Sequence, residues 1–436
     1  MNIEEYLSHF DKFTKDPTLE AMEYIMEKFG NPHKKIKFIH IAGTNGKGSV
    51  TEMLNKCLIN AGYRVGKFVS PHLITFNDGI CINNKPITDK EVEEVLIPLS
   101  SVVTEYNQTH EIPVKWFEVI TSLVLIYFYK KECDIAVIET GLGGTLDCTN
   151  IITPLVSVIT KISYDHMDIL GHSLKEIATH KAGIIKQNSE TVFIETKEVT
   201  EVIQEKCAKE NNKLHLINPK EITNYSYNQD YQKFDYKEFK NIEINLKGKV
   251  QTQNAVECLE TISILRGKGF KIPEESIRTG LKTVIHKARM EIINANPCII
   301  FDGGHNESAI QNLKENTKQY YNNKKHVYII SILQTKDHNI IIEELSSDKE
   351  AIFYFTDGVL EKPYVAKEVL LEEAKKYIEK EKIKATSLEN AITEAIEQYK
   401  DRYIFIIGSF YVYKKVMELL KIDWQKELIC YILGSR

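Results

Sequence analysis

The chain has 436 residues, of which 43% are hydrophobic and 27% are charged, and its formal net charge is −5. This length predicts two or three domains, and the composition is typical of a globular protein. The negative charge argues against a general nucleic-acid or anionic-membrane partner. The longest apolar run covers residues 119–129, which is well short of the ~20 residues that a membrane span needs.

The cysteines and the first residues point to a reducing compartment. None of the eight cysteines forms a CxxC pair, so they indicate reduced thiols rather than a zinc site or a disulfide framework. The first ten residues, MNIEEYLSHF, are acidic and amphipathic and lack the pattern of a signal peptide. We therefore expect a cytoplasmic protein.

A glycine-rich loop follows the first predicted strand. An apolar, β-branched run at 36–41 leads into GTNGKGS at 43–49, and a helix is predicted over 49–61. Glycines let backbone N–H groups converge on a phosphate at a helix N-terminus. Lys47 supplies a cation, and Ser49 supplies a hydroxyl that can reach a magnesium ion. The alternative, a tight surface turn, is disfavoured because the loop directly follows a strand of buried type.

Strands and helices then alternate along the chain. The predicted elements are strands over 64–69, 134–139 and 155–160 and helices over 89–106 and 117–131. This alternation predicts a parallel sheet covered on both faces. Ligands bind at the carboxyl ends of such strands, where Glu139, Asp165 and His166 are expected beside the glycine-rich loop.

A second series follows a region of different composition. Residues 192–249 are charged and rich in Tyr, Asn and Lys, which favours short antiparallel strands and loops. The later predicted elements are helices over 251–266, 273–284, 366–380 and 388–399 and strands over 298–302, 326–333, 351–355 and 403–407. The predicted fold is α/β: a P-loop NTPase-like parallel-sheet domain (1–294, with N-terminal helices within 1–34) followed by a smaller Rossmann-like α/β domain (297–436).

Several side chains at these strand ends could carry chemistry. Glu139 could hold the magnesium ion of a nucleotide, although a solvated carboxylate is the alternative. His166 could be a metal ligand, a phosphate contact or a structural histidine, and Lys181 could be a cation on a helix surface. The segment DGGHN at 302–306 repeats the strand–glycine–helix pattern. Two such sites suggest a cleft that closes over a nucleotide and an acceptor.

Together these motifs resemble the folylpolyglutamate synthase/dihydrofolate synthase family of Mur-type ATP-dependent amide ligases. The resemblance runs nearly end to end and is carried by HIAGTNGKGSV (40–50), SPHL (70–73), WFE (116–118), VIETGLGGTLDCTN (137–150), DHMDILG (165–171), HKAGIIK (180–186), Gln251 with Asn254, Arg289, DGGHN (302–306), TKD (335–337) and GSFY (408–411). It implies that ATP converts a substrate carboxylate into an acyl phosphate and that the amine of L-glutamate then displaces phosphate. Positioning and charge neutralisation contribute most to such a step.

The resemblance also implies a role for each matching residue. The ATP contacts would be Gly43, Thr44, Asn45, Gly46, Lys47, Gly48, Ser49, Asn254, Arg289 and Asp302. Two magnesium ions are expected, with Ser70, Glu139 and His166 as ligands. The substrate would contact Trp116, Phe117, Glu118, Leu146 and Asp147, and Phe117 can stack on a pterin ring. The catalytic residues would be Lys47, Lys181 and His305, and carbamylation of Lys181 is a further expectation.

The chain departs from the family's pattern at several places, and an expected Pro-Arg-Ala is not evident around Asp357 and Gly358. The usual NERI reads NDGI at 77–80, WPGRLE reads HKARME at 286–291, and DGAHNP reads DGGHNE at 302–307. The expected substrates are L-glutamate and a folate or dihydropteroate; no nucleic acid or membrane is expected as a partner, and we expect a monomer. Two alternatives stay open: a divergent Mur-type ligase acting on a non-folate carboxylate, and a P-loop NTPase that acts as a conformational switch.

Overall fold

A computed structural model describes residues 3–11 and 18–422 of the chain. Parts of the predicted N-terminal helices (1–2 and 12–17), the end of the predicted second domain (423–436) and Cys430 lie outside the described residues. The seven cysteines within them are free thiols. Among the described helices, none combines the length and the hydropathy needed to cross a membrane.

The larger sheet of the described residues has eight strands. They are β1 (Phe38–Ala42), β2 (Val65–Phe68), β3 (Ile80–Ile82), β4 (Lys85–Pro86), β5 (Ile135–Glu139), β6 (Val156–Ile159), β7 (Glu190–Ile194) and β8 (Lys213–Ile217). Their spatial order is β4-β3-β2-β5-β1-β6-β7-β8. In this spatial order, each pair of neighbours from β2 through β5, β1, β6 and β7 to β8 is parallel. Only the β2–β3 and β3–β4 pairs of this sheet are antiparallel.

Helices cover both faces of this sheet. They are α1 (Ile3–Ser8), α2 (Glu20–Lys28), α3 (Lys47–Asn60), α4 (Asp89–Thr109), α5 (Trp116–Lys130), α6 (Met167–Leu170), α7 (Leu174–Lys181), α8 (Thr200–Lys209), α9 (Lys249–Gly267) and α10 (Glu274–Thr283). On β5, Ile135 and Val137 pack with α3, α9 and α10, whereas Ala136 and Ile138 pack with α2, α4 and α5. Burial on both faces explains why the strand is apolar up to its last residue, Glu139.

The region at 192–249 agrees with its prediction only in part. Its second half forms an antiparallel sheet of β9 (Ile222–Tyr227), β10 (Gln232–Tyr236) and β11 (Phe239–Ile244), as predicted. Its first half was predicted wrongly, because β7, α8 and β8 extend the parallel sheet there. The charged residues that suggested loops lie largely on the outer side of α8, which buries only Ile203 and Cys207.

The last sheet has six strands within the described residues. They are β12 (Glu291–Ala295), β13 (Cys298–Asp302), β14 (His326–Ile330), β15 (Ile352–Phe355), β16 (Ile383–Ala385) and β17 (Tyr403–Ile407), in the order β12-β13-β17-β14-β15-β16. The accompanying helices are α11 (Glu307–Tyr320), α12 (His338–Leu345), α13 (Lys367–Ala374), α14 (Leu388–Gln398) and α15 (Tyr413–Leu419). The predicted fold class, a large parallel-sheet domain followed by a smaller α/β domain, is confirmed.

Two details of this second part differ from the prediction. The helix predicted over 366–380 ends at Ala374, and the short edge strand β16 was not predicted. The proposed boundary at 294–297 falls inside the hairpin that joins β12 to β13, because β12 pairs with the last sheet. This pairing assigns β12 to the last sheet.

Two glycines in neighbouring helices give a matched test of this packing. A Cβ at Gly280 would lie 2.6 Å from Cys57 Sγ and 3.0 Å from Cys57 Cα, whereas a Cβ at Gly267 would meet no atom within 4 Å. We expect Gly280→Ala to lower the free energy of unfolding by about 1–3 kcal/mol through overpacking. Gly267→Ala should raise it by about 0.5 kcal/mol through helix propensity. Urea denaturation of both variants checks this, and equal effects would contradict the close approach of α10 to α3.

Candidate active site

The glycine-rich loop joins β1 to α3 and is braced by the segment after β6. Gly43 and Gly46 have φ values of 154° and 98°, a region that favours glycine. A Cβ on Gly43 would lie 1.9 Å from Thr160 Oγ1. Thr160 donates its hydroxyl to Asn45 O at 2.9 Å, and the backbone N–H of Thr44 donates to Lys161 O at 2.9 Å. No side chain fits at Gly43, so the loop conformation depends on these glycines.

Two lysines lie against the loop. Lys47 Nζ is 3.2 Å from Gly43 O and 3.6 Å from Glu139 Oε1. Lys181, at the end of α7, donates from Nζ to the same carbonyl at 2.8 Å. Burial, together with the positive charge of Lys47, lowers the pKa of Lys181 to about 7. The site therefore holds a lysine that is close to half neutral at physiological pH.

Glu139 lies at the carboxyl end of β5, where the strand pattern placed it. Burial raises the pKa of its carboxyl to about 7, against the opposing effects of Lys47 and Arg289. Its predicted partners Ser70 and His166 follow β2 and β6, at the same edge of the sheet. Across the described residues, no three His, Cys, Asp or Glu side chains form a metal cluster. Of the predicted magnesium ligands, only Glu139 and His166 have side chains of these types. The absence of a three-residue cluster therefore does not test the predicted magnesium site, which stays a prediction.

Asp165 connects the loop domain to the C-terminal domain. Lys336 Nζ donates to Asp165 Oδ1 at 2.6 Å and lies 3.4 Å from His166 Nε2. Asn306 bonds to Asp165 Oδ2 at 3.1 Å and to the side chain of Asn45 at 3.2 Å. Although burial opposes it, Lys336 lowers the pKa of Asp165 below its usual range. The two sheets therefore meet at the edge where the loop lies.

His305 also belongs to this junction. Its Nε2 lies 3.8 Å from Asp165 Oδ2, and its Nδ1 is bonded to Gly303 O at 2.8 Å. Burial, followed by the charge of Lys336, lowers the pKa of His305 to about 3. The imidazole is therefore neutral at physiological pH, and its catalytic role stays a prediction.

An open cleft of about 590 Å³ lies between the loop and the last sheet. Arg289 stacks on Phe410 with its guanidinium carbon 4.5 Å from the ring centroid. Asp302 accepts hydrogen bonds from Met290 N at 3.0 Å and Gly304 N at 2.8 Å. The predicted ATP contacts that line the cleft are Asn45, Gly46, Ser49, Asn254, Arg289 and Asp302. The structure thus gathers residues from both sheets around one space.

The predicted substrate-side aromatic residues lie at the N-terminus of α5. Phe117 stacks on Phe68 with ring centroids 5.9 Å apart, and a Cβ on Gly141 would lie 2.7 Å from the Phe117 ring. Trp116 lies 6.3 Å from His72, measured between ring centroids. These contacts place both rings close to the loops that follow β2 and β5. Their role in substrate binding stays a prediction.

The other predicted substrate residues have different surroundings. Glu118 accepts from Lys115 N at 2.7 Å and caps α5. Asp147 accepts from Leu142 N at 2.8 Å and Thr149 N at 3.0 Å. Both carboxylates therefore stabilise local structure, whereas Leu146 is 46% exposed and free to contact a ligand.

Four residues of this arrangement were given no role in the predicted site, although Asp165 was expected beside the glycine-rich loop. They are Asp165, His286, Asn306 and Lys336. Asp165, Asn306 and Lys336 lie within the recognised segments DHMDILG, DGGHN and TKD, so the motifs contained a usable signal. His286 occupies a position where the chain departs from the family's pattern, and no signal in the sequence pointed to it.

Comparison with known proteins identifies the class. The Mur ligase middle domain matches residues 41–262, and the Mur ligase glutamate ligase domain matches 288–410. The dihydrofolate synthase/folylpolyglutamate synthase of Bacillus subtilis is 35% identical over 353 residues, which cover 79% of this chain and 82% of that protein.

Solved structures agree with this match. The folylpolyglutamate synthase of Thermotoga maritima is 30% identical, with a TM-score of 0.83 over 96% of each chain. The folylpolyglutamate synthase of Mycobacterium tuberculosis complexed with ADP and AMPPCP is 25% identical, with a TM-score of 0.87 over 97% of this chain and 98% of that one. The chain therefore belongs to the Mur ligase family, in the folylpolyglutamate synthase/dihydrofolate synthase branch. The predicted enzyme class, an ATP-dependent ligase that forms carbon–nitrogen bonds, is confirmed.

Lys47→Ala tests the phosphate loop. We expect this substitution to abolish ATP turnover, because it removes a partly buried cation from the loop that is expected to hold the phosphates of ATP. Lys56→Ala, which lies on α3 about 13 Å further along the helix, should retain activity. ADP release measures both variants. Near-wild-type turnover in Lys47→Ala would refute the assignment of the loop.

Glu139→Gln tests the cost of burying a carboxylate. With the pKa of Glu139 raised to about 7, the native state binds more protons than the unfolded chain between about pH 4.5 and 7. The contribution of the Glu139 carboxyl to the free energy of unfolding of the wild type therefore falls as the pH rises through that window. We expect Glu139→Gln to unfold at a higher temperature than wild type at pH 8, with a smaller difference at pH 5.

Calorimetry of the ligand-free protein measures this difference. Glu397→Gln, at an exposed position on α14, is the control and should follow wild type at both pH values. A Glu139→Gln variant that is less stable than wild type at pH 8 would show that the carboxylate stabilises the fold.

Proposed function

We propose that this enzyme adds L-glutamate to dihydropteroate, to a (tetrahydro)folylpolyglutamate, or to both. The observation that carries the proposal is the joint cleft, in which the phosphate loop faces Arg289 and Asp302. A ligase of this kind must bring ATP, a carboxylate and an amine together, and a cleft between two domains permits this. The names of the relatives, folylpolyglutamate and dihydrofolate synthases, support this choice of acceptor.

The reaction we propose has two steps. A carboxylate oxygen of the acceptor attacks the γ-phosphorus of ATP, the bond from phosphorus to the ADP oxygen breaks, and an acyl phosphate forms. The glutamate amine then attacks the acyl carbon, loses a proton, and phosphate leaves with the electron pair of the carbon–oxygen bond. Lys47 and Arg289 lie where they can offset the negative charge that develops on the phosphoryl oxygens.

The residues at the loop fit magnesium ions. Glu139 is a buried carboxylate whose raised pKa indicates that its charge lacks compensation in this conformation. Desolvation, followed by Lys336, lowers the pKa of His166 to about 4 although 43% of the side chain is exposed, and a neutral imidazole can donate a lone pair. We assign Ser70, Glu139 and His166 as the ligands of two ions. Bound there, magnesium would neutralise phosphate charge.

Lys181 is suited to carbamylation. Its neutral amine can attack carbon dioxide, forming a carbamate and releasing a proton, and the lowered pKa of about 7 supplies that neutral form. The carbamate would replace a cation with an anion beside the loop. His305, neutral and close to Asp165, and Lys47 complete the proposed catalytic group.

The remaining parts of the proposal concern organisation. We propose an ATP-binding domain that ends before Glu291 and a C-terminal ligase domain that begins with β12. Trp116, Phe117 and Leu146 would contact the pterin side of the acceptor. We expect a cytoplasmic monomer with small-molecule substrates only, consistent with the net charge of −5.

A product assay tests the function directly. Enzyme, ATP and L-glutamate are incubated with dihydropteroate or with tetrahydrofolate in separate reactions, and mass spectrometry detects the addition of one glutamate. We expect product with at least one acceptor, together with matching ADP release. ADP release that is independent of the acceptor would favour an NTPase switch. Stimulation by neither acceptor would favour a ligase for another carboxylate.

Lys181→Ala tests the carbamate. We expect loss of ligase activity and partial recovery when a small carboxylate such as acetate or formate is added, because the added anion can replace the carbamate. Lys175→Ala, at an exposed position on the same helix, should retain activity and gain nothing from the additive. Full activity of Lys181→Ala without any additive would contradict the proposed role.

A further inference from the structure

His286 contacts the glycine-rich loop, and none of the roles above uses it. It lies between α10 and β12, three positions before Arg289. Its Nδ1 is 3.0 Å from Ser49 Oγ. A Cβ on Gly48 would lie 2.9 Å from His286 Nε2 and 3.7 Å from Glu139 Oε2. Ser49, Glu139 and His286 therefore surround Gly48 at the start of α3.

We propose that His286 is a further ligand, through Nδ1, of the divalent cation that accompanies the nucleotide. The inference rests on the proposed function for the presence of that cation. In octahedral coordination two adjacent ligands, each about 2.1 Å from the ion, lie about 3.0 Å apart. The measured separation of Nδ1 and Ser49 Oγ matches this spacing. A cation between them would replace one hydrogen bond with two coordinate bonds.

The glycine at position 48 agrees with this placement. Any side chain there would displace the imidazole, because even a methyl group would approach Nε2 to 2.9 Å. Gly48 is the residue that separates this loop from the commonest P-loop consensus. Its absence of a side chain leaves room for His286 beside Ser49 and Glu139.

The chemistry of the ring predicts a metal preference. A neutral imidazole has a lone pair on its unprotonated nitrogen, which can bind a metal ion. Imidazole nitrogen suits transition-metal ions, whereas oxygen ligands suit Mg²⁺. A site with this nitrogen should therefore bind Mn²⁺ more tightly, relative to Mg²⁺, than the same site with an oxygen in its place.

Pulsed electron paramagnetic resonance of the Mn²⁺–ADP complex of the full chain tests the proposal. A coordinated imidazole gives modulation from its ¹⁴N nucleus. We expect shallower ¹⁴N modulation in His286→Asn than in wild type, and a loss of Mn²⁺ affinity of about tenfold, with a smaller loss for Mg²⁺. Modulation of wild-type depth in His286→Asn, or no modulation in wild type, would overturn the proposal.

Two further variants separate this role from others. His166→Asn measures how much modulation comes from the other predicted imidazole ligand. Gly48→Ala keeps the histidine at position 286, but the added methyl group displaces its ring. We therefore expect this variant to show reduced modulation as well. Thermal melting of each variant verifies folding. If His286 only orients Ser49, His286→Asn will show the same ¹⁴N modulation as wild type. That result would overturn the proposal.

The same samples distinguish this proposal from the proposed function. The resonance measurement requires only Mn²⁺ and ADP, so it does not depend on an acceptor. If wild type shows His286-dependent modulation but forms no product with dihydropteroate or tetrahydrofolate, the choice of acceptor is wrong and the metal ligand stands. If product forms and the modulation does not depend on His286, the metal ligand is wrong and the ligase function stands.

Discussion

The ion pair between Lys336 and Asp165 is the interaction on which the arrangement of the site depends. The two charged atoms are 2.6 Å apart, and the side chains are 7% and 11% exposed. Leaving either charge buried alone would be costly, so the pair ties the last sheet to the edge of the first. Asn306 adds hydrogen bonds to Asp165 and Asn45 at the same junction. With this junction formed, Arg289 and Asp302 line a cleft that would otherwise be an open surface.

Charge beside the glycine-rich loop is arranged for a ligand rather than for stability. Lys181 has a lowered pKa and Glu139 a raised one, in each case chiefly because burial disfavours the charged form. A protein selected for stability alone would avoid both groups, and such costs are common at functional sites. A polyphosphate beside the lysines and a cation beside the carboxylate would each restore the charged forms. Binding of ATP and of the proposed magnesium ions would therefore offset the cost of burying these two groups.

The fold and much of the phosphate loop could be predicted from the sequence. The strand before the loop, the helix after it and the position of Glu139 follow from patterns within a few residues of each other. The prediction failed at 192–217, where a helix with a charged outer side was taken for loops. The local hydrogen bonds of Glu118 and Asp147 were not anticipated either: their carboxylates cap local structure, and their role toward substrate stays a prediction. Composition alone does not reveal which side of a helix is buried or which hydrogen bonds a carboxylate makes.

By itself, the sequence determined the phosphate loop, because glycine positions, strand periodicity and a lysine in the loop are local requirements of the backbone. The class of chemistry followed from the resemblance of its motifs to the ligase family. The tertiary structure decided which distant side chains share the site. Asn45 meets Asn306, 261 positions away, and Ser49 meets His286, 237 positions away. Such contacts depend on how two sheets pack, and packing is set by the sum of many weak interactions. No pattern within either segment records that sum, so His286 could be recognised only in the folded protein.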